Sequence, residues 1–472
     1  MAYAADKITV NGIQLGQLEK MDIVSEAGEH GKLTLCGYLV GEQGAETLYG
    51  ITEEESISIY VEQTLIFSGI ITKAKIYGVA ETIKIEVEAK SRSILMDRKK
   101  KSRSFQDTSM TYSQLVKFIM AEYPESDIML SIEDRPLGDI AVQYKETDWI
   151  FLKRMLSQLH AAISCRVASE TLQLYGGVPD VVKEKWDYEV KGYQKELGIY
   201  NYWLQLGMNV SDTDFFVTEI ETNHVPELFE EVEDAGKPMV IQSFSYSMTK
   251  GLLCCSCRLQ KKEGILAPVR YPMHLIGVAL EGNVLEISGI KIRLHLKIDD
   301  GNSLSDTYWF PFSTLSASPD GSGWYYMPEK GDNIRVYFPS KFTKDVIAVS
   351  AVSNYDGKSG GVPDRMGNPA NKYLSNPGGQ QMKLAEDGIY LACSGESACV
   401  KIGNDGAIEV SSQNTVEVTA DNNVSIEAEE AVVIQASETA VISCTKGGTM
   451  QMPPDGNLYI QGSEVKLDQE AL

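Results

Sequence analysis

One spacing constrains this chain more than any other. Apolar pairs recur every eight residues: Val400-x-Ile402, Ile408-x-Val410, Val416-x-Val418, Val424-x-Ile426, Val432-x-Ile434 and Ala440-x-Ile442. The intervening positions are polar, among them Asn404, Asp405, Gln413, Asn414, Asp421, Asn422, Glu429 and Glu430. Repeats this short point to solenoids and fibres, not to globular domains. An octad supplies one short strand with two inward side chains, then a turn. A single chain advancing at that rate cannot enclose a core. Three intertwined chains can, because each rung then holds three strands. The spacing predicts a trimeric fibre with these twelve apolar residues at its core. The pattern breaks over 443–457, and Leu458-x-Ile460 returns two residues out of phase, which predicts an irregular turn inside the fibre. The competing reading is an ordinary β-hairpin domain, but hairpin proteins vary their strand spacing.

The rest of the chain also reads as mainly β. Ile8-x-Val10, Leu33-x-Leu35, Ile57-x-Ile59-x-Val61 and Ile83-x-Ile85-x-Val87 alternate at period two, which suggests a small barrel or sandwich. Leu115, Val116, Ile119, Met120 and Tyr123 share a helical face that Pro124 ends. A second helix opens at Thr147-Asp148, both suitable N-caps, and buries Phe151, Leu152, Met155, Leu156 and Leu159. Residues 163–240 alternate as strands, and 245–262 read as a helix. Ile290-x-Ile292-x-Leu294-x-Leu296, Ile334-x-Val336-x-Phe338 and Ala348 to Val352 are strands of a small closed barrel of the OB type. Residues 354–380, rich in Gly, Pro, Asn and Asp, read as a linker.

Charge narrows the partners. Forty-three Lys and Arg against 66 Asp and Glu give a net charge of −23, so nucleic acid and anionic lipid are not expected as general partners. The local run Arg98-Lys99-Lys100-Lys101 reads as a solvated loop, with a docking patch for an acidic partner as the alternative. Eight cysteines make no disulfide framework. Cys36, Cys165, Cys393, Cys399 and Cys444 are scattered, as small buried hydrophobes usually are. Cys254-Cys255-x-Cys257 is the one cluster, read as structural and helical; a metal or redox site would ask for a second knuckle or a nearby His. No apolar run approaches the ~20 residues of a membrane span. The start, MAYAADKITV, does not look like a signal peptide, so a soluble chain made in the cytoplasm is expected.

No catalytic constellation emerges. His30, His160, His224, His274 and His295 show no metal-binding spacing, and neither a G-x-S-x-G elbow nor a P-loop occurs. Glu53-Glu54-Glu55 reads as a solvated face, and His295, alternating with apolar neighbours, as a satisfied barrel residue. The expectation is no enzyme, no cofactor and no metal.

The order of these parts resembles VgrG-like hub-and-spike proteins of contractile injection systems, fused counterparts of the phage tail hub and central spike (phage late control D-like). Three segments carry the resemblance. Gln143-Tyr144-Lys145-Glu146-Thr147-Asp148-Trp149-Ile150-Phe151-Leu152 looks like the family's Q-Y-x-E-T-D/S-x-x-F-L segment. Pro328-Glu329-Lys330-Gly331-Asp332-Asn333-Ile334-Arg335-Val336-Tyr337-Phe338 is similar to its P-x-x-G-D-x-V-x-V-x-F segment. Asn371 to Gly379, through Asp387-Gly388-Ile389, resembles the entry to the spike.

The resemblance implies an α+β hub with two β-barrels, an OB barrel and a C-terminal triple-stranded β-helix. In this numbering it implies a first hub barrel over 1–95, an α/β insertion over 96–162, a second hub barrel and helix over 163–264, the OB barrel over 265–355, the linker over 356–380 and the trimeric spike over 381–472. It further implies a homotrimer that joins a hexameric tail tube to a threefold needle, held by baseplate proteins. Sheath contraction would drive it through a target envelope, as part of a released particle or virion. The absence of a fused effector leans toward a phage tail or phage-tail-like bacteriocin. The last residues, Val465 to Leu472, hold no His or Cys, so a separate tip protein, not a metal-bound tip, is expected at the end. The alternatives are a trimeric receptor- or glycan-binding fibre that uses the OB barrel, and, more weakly, a wall-degrading tail enzyme.

Overall fold

The computed structural model describes residues 3–40, 45–79, 82–180, 185–301, 305–318, 323–351 and 368–466. The chain divides into two compact units, Met1–Asn354 and Tyr355–Leu472. The architecture is mainly β.

In the first unit, period-two alternation builds one large sheet. Along Ser56–Val61, Ile57, Ile59 and Val61 are buried and the residues between them are half-buried. The strand order is Tyr188–Lys195, Phe216–Thr222, Leu252–Gln260, Lys237–Thr249, Leu15–Glu26, Lys32–Leu39, Thr82–Ser91, Thr64–Val79, Ser56–Val61 and Ile8–Asn11. The β regions before residue 95 and after residue 163 meet where Leu15–Glu26 pairs antiparallel with Lys237–Thr249. They share one core, which joins Ile57 and Phe67 with Phe244, Tyr246 and Leu259.

The reading of 245–262 as a helix is corrected. Lys237–Thr249 and Leu252–Gln260 form a hairpin, with Thr249 opposite Leu252. Its two turn residues, Lys250 and Gly251, have φ of 55° and 76°, the backbone of a type I′ turn. Leu253, Cys255, Cys257 and Leu259 point into the core at period two, while Ser256 faces water. The cysteines had hidden this alternation, because Cys254 and Cys255 carry no contrast in polarity.

The α/β insertion has its own core. The helices Tyr112–Met120 and Asp148–Ser157 pack on a sheet ordered Ile163–Cys165, Gln173–Gly177, Asp127–Ser131. Thr111 caps the first helix through a capping box with Gln114. Thr147 caps the second, accepting from the Ile150 N–H at 3.3 Å.

The Gln143–Asp148 segment owes its geometry to one extra residue. Ala141–Thr147 pairs with Lys100–Phe105, but the register slips between Tyr144 and Glu146, so Lys145 bulges out at φ 50°. After the bulge the alternation is reset, and Glu146, Thr147 and Asp148 are all buried. Asp148 accepts from Arg103 at 2.7 Å, Lys101 at 2.5 Å, Tyr123 at 2.6 Å and Gln143 at 2.9 Å. Arg103 also bonds Gln143 at 2.7 Å and pairs with Glu122. Arg154 forks onto both oxygens of Glu146 at 3.1 and 2.7 Å. Burial alone would push the Asp148 carboxyl up. The bonds from Lys101, Tyr123 and Gln143, with the Arg103 charge, outweigh it and hold the group below its ordinary value. Of the basic run, Arg98, Lys99 and Lys100 are exposed, whereas Lys101 belongs to this network.

The stretch read as an OB barrel is a five-stranded sheet ordered Trp309–Pro311, Lys291–Leu296, Ala279–Ser288, Asn333–Tyr337, Ile347–Ala351. A bridge from Phe312 to Ala348 joins its two ends. Its core takes in Ile140 and Val142 from the insertion. Asp299 reaches back to accept from the Ser104 N–H and hydroxyl, both at 2.6 Å.

Removing one member of the buried network leaves charges with no compensation, which costs about 3–5 kcal/mol. Asp148→Ala is therefore expected to lower the unfolding free energy of the first unit by that amount, as read from denaturant titration. Because the native carboxyl lies below its ordinary value of 3.8, its contribution is full above about pH 4. That contribution is lost as pH falls through the native value, and Asp148→Asn should flatten this acid limb in denaturation curves measured against pH.

Candidate functional site

The Tyr355–Leu472 unit is where the octad lies, and its side chains are arranged unlike those of the hub. Five strands, Lys372–Ser375, Gln381–Ala385, Gly388–Ala392, Ala398–Gly403 and Ile408–Ser412, form an antiparallel meander. The first falls within the stretch read as linker; residues 352–367 lie outside the described residues. Gly388 is required here. Its φ is 153°, and a Cβ would stand 2.3 Å from the Ile402 carbonyl oxygen.

The first two octad pairs face each other across a hairpin, Val400 opposite Val410 and Ile402 opposite Ile408. Gly406, at φ 89°, turns the chain, and the Asp405 carboxylate accepts from the Ala407 N–H at 3.0 Å. Here the octad is closed within one chain, as the hairpin reading had it. The next registers differ. Among the described residues no strand is formed over 413–439. Val416, Val418, Val424, Ile426, Val432 and Ile434 all lie exposed, Ile426 at 74%. The break over 443–457 is more than a turn. Thr449–Met452 is a strand paired with Ala440–Ser443 on one side and Tyr459–Gln461 on the other.

None of the twelve predicted core residues is buried in the single chain; Val400 and Ala440 are half-buried and the other ten are exposed. Ala392 is the one buried apolar residue of this unit among those described. A surface this apolar and this regular marks an interaction site. An extended backbone without a ladder partner also presents rows of donors and acceptors that another strand can satisfy.

The remaining candidates resolve into structural roles. Cys255 and Cys257 are buried with their sulfurs 4.0 Å apart, and a hydrogen bond between them, with burial, pushes the Cys257 thiol up. Among the described residues, no group of three or more His, Cys, Asp or Glu is set to hold a metal ion. Glu53 and Glu54 are exposed. His30 stacks on Trp149 at 4.3 Å and bonds Ser93 at 2.6 Å. His224 stacks on Trp186 and meets buried Glu230 at 2.8 Å. His295 sits between two carboxylates, Asp306 at 2.7 Å and Asp300 at 3.0 Å. The sequence reading missed the helix Leu197–Gln205, although its nine residues carry no charge.

Residues 51–169 match the family model of the phage tail baseplate hub (GPD). No curated protein matches the chain. Among solved structures, one similar chain is the E. coli c3393 protein, described as a component of the type VI secretion system with structural similarity to the T4 bacteriophage tail proteins gp27 and gp5. It is 14% identical with a TM-score of 0.53, over 74% of this chain and 100% of that one. A chain of the Francisella PdpA–VgrG complex, lidded, is 10% identical with a TM-score of 0.51, over 84% of this chain and 76% of that one. The fold is thus that of VgrG-like hub-and-spike proteins. Within it, this chain carries a phage tail baseplate hub domain.

His295 offers a pH readout of the small barrel. The Asp306 bond pushes the imidazole up, burial opposes it, and Asp300 adds to the rise, so it titrates above its ordinary 6.5. The stabilisation is full below about pH 6.5 and is lost as pH climbs through the native value. Asp306→Asn is expected to bring the His295 midpoint back toward 6.5 in an NMR titration.

Proposed function

We propose that this chain is the structural hub and cell-puncturing spike of a contractile injection particle, a phage tail or phage-tail-like bacteriocin. Three copies would present their hubs to a hexameric tail tube and baseplate and would wind their octad segments into one needle. One observation carries the reading: a chain with a baseplate hub domain continues into an apolar register whose valines and isoleucines over 413–439 all lie exposed.

The geometry suits such a role. Asp148 ties the elements of the insertion together, and Asp299 joins the insertion to the five-stranded sheet, so these two parts are coupled through buried contacts. Pairing three chains along the octad would cover the exposed valines and isoleucines and supply the missing ladder. At ~0.8 kcal/mol per buried CH₂, six registers shared by three chains would form a strong clamp. Intertwined chains also separate slowly, which makes the stability largely kinetic. The chain would supply shape and stiffness, with no catalytic step of its own.

Light scattering tests this directly. Full-length protein is expected at about 156 kDa, three times the 52.1 kDa chain. Ile426→Asp with Ile434→Asp should weaken or abolish the trimer, and a wild-type monomer would overturn the proposal. Incubation with peptidoglycan is expected to release no muropeptides; robust release would show an enzyme instead.

A further inference from the structure

The joint between the insertion and the five-stranded sheet holds three carboxylates and one imidazole. His295 lies on the strand Lys291–Leu296, Asp299 and Asp300 follow it, and Asp306 precedes the strand Trp309–Pro311. Two of the carboxylates grip the insertion. Asp299 accepts from the Ser104 N–H and hydroxyl. Asp306 accepts from the Gln106 amide nitrogen at 3.1 Å, which also reaches the Leu294 carbonyl at 3.1 Å and the Ser104 hydroxyl at 3.3 Å. The Gln106 oxygen is buried without a hydrogen-bond partner among the described residues, so the nitrogen alone anchors this buried side chain.

His295 closes the cluster from the sheet side. Its Nδ1 stands 2.7 Å from Asp306 and its Nε2 3.0 Å from Asp300. An ionised carboxylate only accepts, and a neutral imidazole has one donor and one bare lone pair. Two carboxylates on one ring therefore call for its doubly protonated form. With the second proton gone, one carboxylate faces a lone pair and its bond is lost. The neighbouring cations are committed elsewhere. Arg293 bonds Glu286 at 2.6 Å and reaches only the backbone carbonyl of Asp306, and Lys297 bonds Glu281 at 2.6 Å. Asn283, opposite His295 on the next strand, carries no charge, nor do Ser104 and Gln106. Asp299 also feels the ring. Burial pushes its carboxyl up, the Ser104 bonds pull it down, and the charges of Asp306 and His295 act on it with opposite signs.

We infer that His295 is a proton-operated latch on this joint, closed when the imidazolium draws Asp300 and Asp306 together and slackened when the proton leaves. In the closed state Asp306 and Asp299 hold Gln106 and Ser104 of the insertion. In the open state three carboxylates stand together without their counter-charge, and repulsion loosens that hold. The ring is 32% exposed, so it exchanges its proton with water while the Ser104 and Gln106 contacts stay buried. Because the Asp306 bond lifts the imidazole above its ordinary 6.5, the latch is fully closed below about pH 6.5 and opens as pH climbs through the native midpoint. All of these groups belong to one chain, so the latch needs no trimer.

The test is hydrogen–deuterium exchange of the full-length protein at about pH 6 and about pH 9, corrected for the intrinsic rates. The Ser104 amide, which donates to Asp299, reports on the joint, and the helix Tyr112–Met120 reports on the insertion core. Protection at Ser104 is expected to fall about fivefold between the two conditions, the scale of two partly exposed ion pairs, while the helix keeps its protection. His295→Gln should show the lower protection at both pH values and His295→Arg the higher. A wild type without the step at Ser104 overturns the latch. So does a step that persists in either variant, or one of equal size in Tyr112–Met120, which would report loosening of the whole insertion.

Discussion

A carboxylate with no exposure to water holds the α/β insertion together. Asp148 sits at the start of a helix, just past a bulged strand, and gathers Lys101, Arg103, Tyr123 and Gln143 around it. They come from the strand Lys100–Phe105, the turn after the first helix and the strand Ala141–Thr147, so the ion cluster fixes the relative positions of these elements as apolar packing alone would not. Buried ion pairs are weak sources of net stability, because desolvation offsets most of the attraction. They are strong sources of geometry, because a half-assembled network is worse than none. The small barrel depends on the same strand pair. Ile140 and Val142 enter its core, and Ser104 donates twice to Asp299. A shift at Asp148 would therefore be felt in two cores.

The second unit follows the opposite logic. The hub buries large clusters within one chain, while the octad segment leaves its apolar residues in water. A segment with two apolar side chains per rung gains little by folding alone. If copies pair as proposed above, its stability would belong to the assembly, and its stiffness would come from ladder bonds between copies.

What could be read in the sequence followed the strength of its periods. The octad pairs, the strand Ser56–Val61 and the helix Tyr112–Met120 were all visible, because the polar and apolar positions differ sharply. The hairpin at Lys250-Gly251 was missed, since adjacent cysteines and leucines blur period two into a helical-looking run. The helix Leu197–Gln205 was missed for a related reason: with Asn201 and Gln205 as its only clearly polar residues and no charge, its amphipathic signature is weak. The Gln143–Asp148 segment could be recognised as a motif, but its purpose could not. Arg103 lies 45 residues from Asp148, and only the bulge at Lys145 turns the carboxylate toward it. Likewise, nothing local announces that the first octad pairs close on themselves at 398–412.

The seam between Leu15–Glu26 and Lys237–Thr249 has a consequence for how the molecule is made. Ser247 bonds Asp22 across a separation of 225 residues, so the sheet has high contact order and closes late. A ribosome must deliver more than half of the chain before Leu15–Glu26, already paired with Lys32–Leu39 on one side, finds its partner on the other. Until then that edge is open and prone to wrong pairing. The octad segment emerges afterwards, when the hub can already be complete. Synthesis order thus separates the two units: the long-range seam of the large sheet can close before the octad segment leaves the ribosome.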